Sequence, residues 1–472
     1  MRIMAVSDAA PEGAPMTVSA ATDETSAVTA FAGRPPVTVR RGRAAPFGWW
    51  PAVCVALVAL VDRIEYNLLA GSLPQIQREF GFSDGAAGAI ATAGAVAAVI
   101  LLLPAGRLAD TGRRTWTIAA VVAVWALLTL GTGLAGSYAA LFGIRVLLGS
   151  AGQLYNPPAS SLLGDLYPGT GRARAFGLER AAYFAGLPIG VIAGGALAQA
   201  YGWRTGFFLV AVPGAAIALL MLTVREPVRG IGDRLTSWYG GAAATAAPPA
   251  PATPTPVLQQ VRELWRVRTL RSVVTGLSIL FFGLGGLFFW MPSYYQREFG
   301  LDEAAAAAVG GGAGLVGILA GIGLGSWLGD RHHGRRPGWR VLLGGWSLVF
   351  GSAALAGAVA FTDLGPQVAC FALANVGFAG AIANLTAANA DVVAAARRGM
   401  GFAVLQLLVT LGGALGPWLI GEASDATGSL RAAYAVVLAP LAVGCLIVLR
   451  SWRAYDADAA AALAPPAEPD AA

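Results

Sequence analysis

Apolar runs of about 20 residues recur along most of this chain, and as a helix each is long enough to cross about 30 Å of hydrocarbon. They fall at 51–73, 86–108, 116–135, 139–161, 175–200 and 205–224, and again at 272–294, 304–328, 341–361, 366–388, 399–421 and 431–449. Composition agrees. Of 472 residues, 56% are hydrophobic and only 12% charged, with a mean hydropathy of +0.63, which excludes a soluble globular domain. The expected fold is an all-α polytopic membrane protein with twelve transmembrane helices in two six-helix, pseudo-symmetric bundles.

The same inventory narrows the chemistry. All 32 basic residues are arginine, so no lysine exists to form a Schiff base. Cys54, Cys370 and Cys445 lie far apart inside apolar runs, which argues against a disulfide framework. His332 and His333 share one Arg-rich loop, leaving no histidine within the membrane for a metal site or an acid–base dyad. No catalytic group, metal or cofactor is expected, and an enzyme is a poor reading of this chain.

Residues 1–47 are rich in Ala, Pro, Thr and Ser, lack the apolar core of a signal peptide, and are expected to be a disordered tail. The N-terminal bundle then covers 48–225, a linker 226–271, the C-terminal bundle 272–450, and a second disordered tail 451–472. Within the linker, the tract Pro248 to Pro256 precedes a basic, amphipathic segment, Val257 to Arg271, expected to lie as an interfacial helix. Arginine placement sets the topology. Arg78, Arg204, Arg297 and Arg431 fall on one side, Arg63, Arg145 and Arg180 within spans, and the rest on the tails, the linker and the even-numbered loops. Both termini are therefore expected to be cytoplasmic, in the inner (plasma) membrane.

An internal repeat supports the division. Gln77-Arg78-Glu79-Phe80-Gly81 returns 219 positions later as Gln296-Arg297-Glu298-Phe299-Gly300, and the loop aspartate Asp110 returns 220 positions later as Asp330. Asp165 and Arg172 have weaker counterparts in Asp391 and Arg397. Duplicated halves related by an axis along the membrane normal place a substrate cavity between them near the midplane.

The most expensive residues lie in the first span, where Asp62, Arg63 and Glu65 interrupt an apolar run. Each charge at a helix centre costs roughly 2.5–3.5 kcal/mol unless paired, hydrated or neutralised. At 100° per residue Asp62, Glu65 and Tyr66 share a face, with Arg63 and Asn67 on an adjoining stripe. Asp62 and Arg63 are therefore expected to find partners on other helices: Arg145 in span four for Asp62, and Glu179 beside Arg180 in span five for Arg63. A carboxylate caught between burial and a nearby arginine can couple protonation to conformation. Asp62 is the first choice for that role, with Glu65 and Glu179 behind it; the alternative is a permanent ion pair tying spans one and four. Gly186, Gly190 and Gly194, and Gly317, Gly321 and Gly325, are spaced four apart, as close helix packing requires.

The tight loop Gly106-Arg107-Leu108-Ala109-Asp110-Thr111-Gly112-Arg113-Arg114 resembles the signature loop of the major facilitator superfamily. That resemblance implies that Gly106, Asp110, Arg113 and Arg114, with the second copy at Asp330 and Arg331, help lock the outward-facing state.

Asp62-Arg63, Phe80-Gly81-Phe82-Ser83-Asp84, Leu103-Pro104-Ala105-Gly106-Arg107-Leu108-Ala109-Asp110, Arg145-Val146-Leu147-Leu148-Gly149 and Pro157-Pro158-Ala159-Ser160-Ser161 are similar to the Spinster family of lipid transporters. One departure stands out: Gly152 occupies the place of the family's span-four glutamate, which shifts weight onto Asp62. The resemblance implies proton-coupled transport of lysophospholipid or sphingosine-phosphate-like amphiphiles. A charged headgroup would dock at Asp62, Arg63, Tyr66, Asn67 and Arg145. Further cavity candidates are Tyr155, Asn156, Glu179, Arg180 and Tyr183 in the first half and Trp290, Tyr294, Asn384 and Gln406 in the second. Expected partners are that substrate, protons and membrane lipids; no nucleic acid is expected, and the chain should be a monomer. A carrier of small organic anions or drugs is the alternative.

Overall fold

The computed structural model describes residues 25–31, 34–239, 257–332, 336–393 and 398–463. The first half comprises α1 (Trp50–Phe80), α2 (Asp84–Thr111), α3 (Arg114–Gly133), α4 (Tyr138–Leu154), α5 (Asn156–Leu166), α6 (Gly169–Tyr201) and α7 (Trp203–Met221). Helices α8 (Ile231–Tyr239) and α9 (Val257–Leu264) belong to the linker. The second half comprises α10 (Arg268–Phe299), α11 (Glu303–His332), α12 (Trp339–Ala360), α13 (Leu364–Asp391), α14 (Arg398–Thr427) and α15 (Leu430–Arg450), followed by α16 (Trp452–Leu463).

Among the described residues, nine helices are both long and apolar enough to cross a membrane. The other three expected spans differ for visible reasons. Charges interrupt α1 and α4 is only 17 residues long, while in α2 only Asp84–Ile100 lies among the residues whose side chains are described. The fourth span divides because Pro157 and Pro158 have no N–H to continue the α4 ladder; both fit the first turn of a new helix, α5.

Helices α1 and α10 end alike. Gly81 and Gly300 take left-handed φ angles of 67° and 65°, and their N–H groups return to the Gln77 and Gln296 carbonyls. The repeated pentapeptide is thus a helix terminus whose glycine the backbone requires.

The helices α1 and α6 pack lengthwise, as do α10 and α14, and α11 and α13. A Cβ at Gly186, Gly190 or Gly194 would fall 2.7, 2.4 or 2.5 Å from the carbonyl oxygens of Leu60, Ile64 or Leu68 in α1. Gly317 and Gly321 meet the Ala372 and Val376 carbonyls of α13 in the same way, each at 2.3 Å. The glycine stripes are therefore close helix contacts. Gly190→Ala is expected to destabilise the α1–α6 pair by about 1–3 kcal/mol, because backbone must shift. A lower thermal midpoint in detergent checks this.

Two segments expected to be featureless carry structure. In the first tail, β1 (Thr25–Val28) pairs antiparallel with β2 (Val37–Arg40). The alternation in Val37-Thr38-Val39-Arg40 suits a strand, and the linker supplies its anchor: Val228 N–H donates to the Ala30 carbonyl at 2.9 Å, and the Tyr239 hydroxyl bonds the Arg40 and Arg43 carbonyls. In the second tail, α16 is held because Asp456 and Asp458 accept from the N–H groups of Gly338 and Thr269, both at 2.9 Å, near the starts of α12 and α10. Part of the linker is docked rather than free, with Ile231 and Leu235 of α8 buried. Residues 1–24, Pro248 to Pro256 and 464–472 lie outside the described residues.

Candidate functional site

The charges of α1 are paired, but not as the helical-wheel geometry suggested. Asp62 pairs with its own neighbour: Arg63 Nε and Nη2 reach Asp62 Oδ2 at 2.8 and 2.6 Å. Glu65, rather than Asp62, takes Arg145 of α4, with Nη1 to Oε1 at 2.8 Å. Glu179 binds Arg180 at 2.8 Å instead of serving Arg63. The physical reason is reach. An arginine side chain is long enough to fold back beside its own helix, so adjacent residues on different stripes still meet. Glu65 and Arg145 are 1% and 6% exposed, so this pair between α1 and α4 is shielded from solvent.

Aromatic rings hold the guanidinium groups. Arg63 lies 4.7 Å from the Tyr183 ring centre and 5.1 Å from that of Tyr66, and its Nη1 donates to the Tyr183 hydroxyl at 3.4 Å. Arg180 lies 5.4 Å from the Tyr183 ring and Arg145 4.9 Å from the Phe207 ring. These are cation–π distances, and they keep charge in place without neutralising it. Tyr66 and Arg180 are exposed, whereas Asp62, Glu65, Arg145 and Glu179 are buried. Behind Asp62 is a narrow cleft that Val58, Val121, Trp125 and Tyr155 also line. Among the described residues, Nε and Nη2 of Arg145 have no hydrogen-bond partner.

Other expected site residues take structural work. Asn67 Nδ2 donates to the Arg63 carbonyl of its own helix at 2.8 Å. Trp290 is fully buried and donates to the Pro417 carbonyl at 2.8 Å, while Tyr294 stacks on Tyr434 with centroids 4.8 Å apart. Asn384 donates to the Gly325 and Gly380 carbonyls, joining α11 to α13. Gln406 is exposed and bonds Thr410 within α14. Asn156 opens α5. Among the described residues, the second-half candidates are thus dispersed, and the expected site residues that form a charged cluster are those of the first half.

On the face that carries the described chain ends, Arg114 opens α3 fully buried. It pairs with Asp165 and, at 2.7 Å, with Glu226, and donates to Ser161 Oγ at 2.9 Å and the Pro227 carbonyl at 3.0 Å. Burial alone would raise the Glu226 carboxyl, but the Thr115 N–H and the Arg114 guanidinium hold it below its usual value. Its contribution to stability is therefore present at neutral pH and lost as pH falls through that lowered value. Arg113 is exposed, and Gly106 and Asp110 lie in the part of α2 whose side chains fall outside the described residues.

The second half repeats this arrangement. Arg340 pairs with Asp391 at 2.6 Å and with Asp330 at 3.2 Å, and the Tyr455 hydroxyl donates to Asp391 at 2.5 Å. Arg331 instead lies over the Trp327 ring at 5.3 Å. Arg340 and Asp391 stand 226 positions after Arg114 and Asp165. That shared offset was the signal in the sequence that would have revealed Arg340.

Two halves, each tied at one end by the same arginine–aspartate pair, the first with a charged first helix, have the duplicated design of membrane transporters. The Major Facilitator Superfamily pattern matches residues 55–359, and the chain belongs to that superfamily. Within it, the likeness is to Spinster proteins. "Protein spinster" of Drosophila melanogaster is 26% identical over 417 residues, 84% of this chain and 65% of that protein. A bacterial homolog of the human lysosomal transporter Spinster, solved in an inward-facing and unoccupied conformation, shares the fold with a TM-score of 0.72. It is 22% identical, covering 89% of this chain and 98% of that one. "Puromycin resistance protein pur8" of Streptomyces alboniger is 32% identical over 176 residues, 37% of this chain and 35% of that protein. The chain thus spans less than two thirds of either curated relative. Its fold and relatives are those of transporters, not enzymes.

Proposed function

We propose that this transporter moves lysophospholipid or sphingosine-phosphate-like amphiphiles by alternating access, driven by protons. The observation that carries the reading is the Asp62–Arg63 pair at the middle of α1, set against Tyr66 and Tyr183. A proton on Asp62 cancels the charge that Arg63 is matched to, leaving a guanidinium between two rings with no counter-ion. An anionic headgroup supplies the missing partner, so proton and substrate bind together. Glu65 and Glu179 stand behind Asp62 as proton acceptors, and Arg145, with its two unpartnered nitrogens, is the second headgroup anchor. Arg180 and Tyr155 border the site, and the acyl tail lies along apolar helix faces.

In this reading both termini are cytoplasmic and the protein acts as a monomer. The Arg114 network and its copy around Arg340 and Asp330 stiffen the cytoplasmic ends of the two halves, and Asp110, Arg113 and Arg331 are the gating residues that the superfamily resemblance adds. The resemblance to Spinster lipid transporters supports the substrate class. Likeness to a puromycin resistance protein favours a second reading, a carrier of small organic anions or drugs.

Flux of labelled lysophospholipid in proteoliposomes under an imposed pH gradient tests the proposal. The expected result is flux that follows the gradient and collapses with a protonophore. Robust flux of a small carboxylate or drug, with no pH-dependent lipid flux, would select the second reading.

A further inference from the structure

On the face opposite the described chain ends, side chains tie one half to the other. Asp84, the first residue of α2, receives two nitrogens of Arg297 from α10, Nη1 on Oδ2 at 2.5 Å and Nη2 on Oδ1 at 2.7 Å. Gln77 Nε2 and Ser424 Oγ add bonds of 2.8 Å each. Glu303, the first residue of α11, pairs with Arg78 from α1 and accepts from Gln75 Nε2 at 2.6 Å. These two sites are counterparts: Arg297 and Glu303 stand 219 positions after Arg78 and Asp84. Each arginine sits in the last turn of its half's first helix and crosses to the acid that opens the other half's second helix.

Backbone contacts follow the same crossing. Asp425 of α14 accepts from the N–H groups of Asp84 and Gly85 at 3.0 and 2.7 Å, and Gln199 of α6 accepts from Ala304 N–H at 3.0 Å. A Cβ at Gly88 would lie 2.2 Å from the Pro417 carbonyl, and one at Gly195 would lie 2.5 Å from that of Glu303. By contrast, the Arg114–Asp165 and Arg340–Asp391 pairs each join helices of a single half.

We propose that the repeated Gln-Arg-Glu-Phe-Gly segment is a reciprocal latch: it closes this face of the transporter, and both of its ion pairs must part before a path opens there. Acids at helix starts and arginines in last turns each complement their own helix dipole, so the latch strains neither half. Two equivalent bolts also explain why the segment is duplicated. With one pair broken the other still holds, and because the arginines are 68% and 44% exposed, each pair alone is weak. Rocking of the halves therefore needs both released.

The test reads distance and needs neither substrate nor gradient, so its failure is separable from failure of the transport reading. Spin labels go on Gly136→Cys and Thr362→Cys, exposed loop positions in the two halves on this face, with Cys370 replaced by Ala; Cys54 and Cys445 are buried. The parent should show one short distance. Arg78→Gln with Arg297→Gln should add a longer one, raising the open-to-closed ratio on the order of tenfold, with a small change for either alone. On the Arg297→Gln background, Arg78→Glu should open this face further, and Glu303→Arg added to it should close it again. An unchanged distribution in the double glutamine variant, or opening that the Glu303→Arg swap leaves uncorrected, overturns the latch.

Discussion

Asp62→Asn is expected to abolish proton-driven flux while leaving substrate binding measurable. Asparagine keeps nearly the same shape beside Arg63 but removes the charge that Arg63 is matched to across 2.6 Å. The variant is thereby fixed in the state that protonation produces in the parent: Arg63 stays free, held only by Tyr66 and Tyr183. Binding of an anionic amphiphile should persist and lose its pH dependence, because no proton is now needed to free the guanidinium. Net transport against a gradient should vanish, because one proton no longer accompanies each substrate. Binding isotherms across a pH series, beside flux in proteoliposomes, check both halves of the statement. Binding or flux that keeps the parent's pH profile would remove Asp62 from the coupling role and pass it to Glu65 or Glu179.

Much of the architecture was legible because it is written in long-range statistics. Apolar runs of membrane length, the pentapeptide repeat and the glycines spaced four apart each correspond to a feature of the fold. Side-chain partners were not legible. A wheel of α1 places Asp62 and Arg63 on different stripes, yet the flexible stem of Arg63 carries its head around to Asp62. Helix neighbours are equally silent in sequence, because spans apolar all round give no phase that says which helix they touch. Sequence alone therefore does not distinguish Asp62 from Glu65, one turn further along, as the partner of Arg145. The same silence explains Trp290, Tyr294 and Asn384, polar groups in a membrane helix that serve helix contacts as readily as a cavity. The stretch 25–47 of the first tail departs from its expected disorder for a different reason. Its composition is that of a disordered chain, and the four-residue strands of its hairpin gain their order from a linker that no local pattern connects to them.

The reassignment of Arg145 changes what its removal should do. Arg145→Ala leaves Glu65, 1% exposed, without its ion-pair partner, and breaking such a buried pair costs about 3–5 kcal/mol. The single variant is expected to lose thermal stability and to bind anionic amphiphiles poorly, but the first loss by itself would explain the second. Adding Glu65→Gln separates them. A neutral pair at this position removes the uncompensated charge, so the double variant should regain most of the thermal midpoint. If Arg145 is a headgroup anchor, its affinity for an anionic amphiphile should remain at least tenfold below that of the parent, the scale of one charge-assisted bond. An uncharged amphiphile with the same tail should bind as before. Full recovery of anionic binding in the double variant would make Arg145 a strut between α1 and α4, and would leave Arg63 as the cation that reads the headgroup.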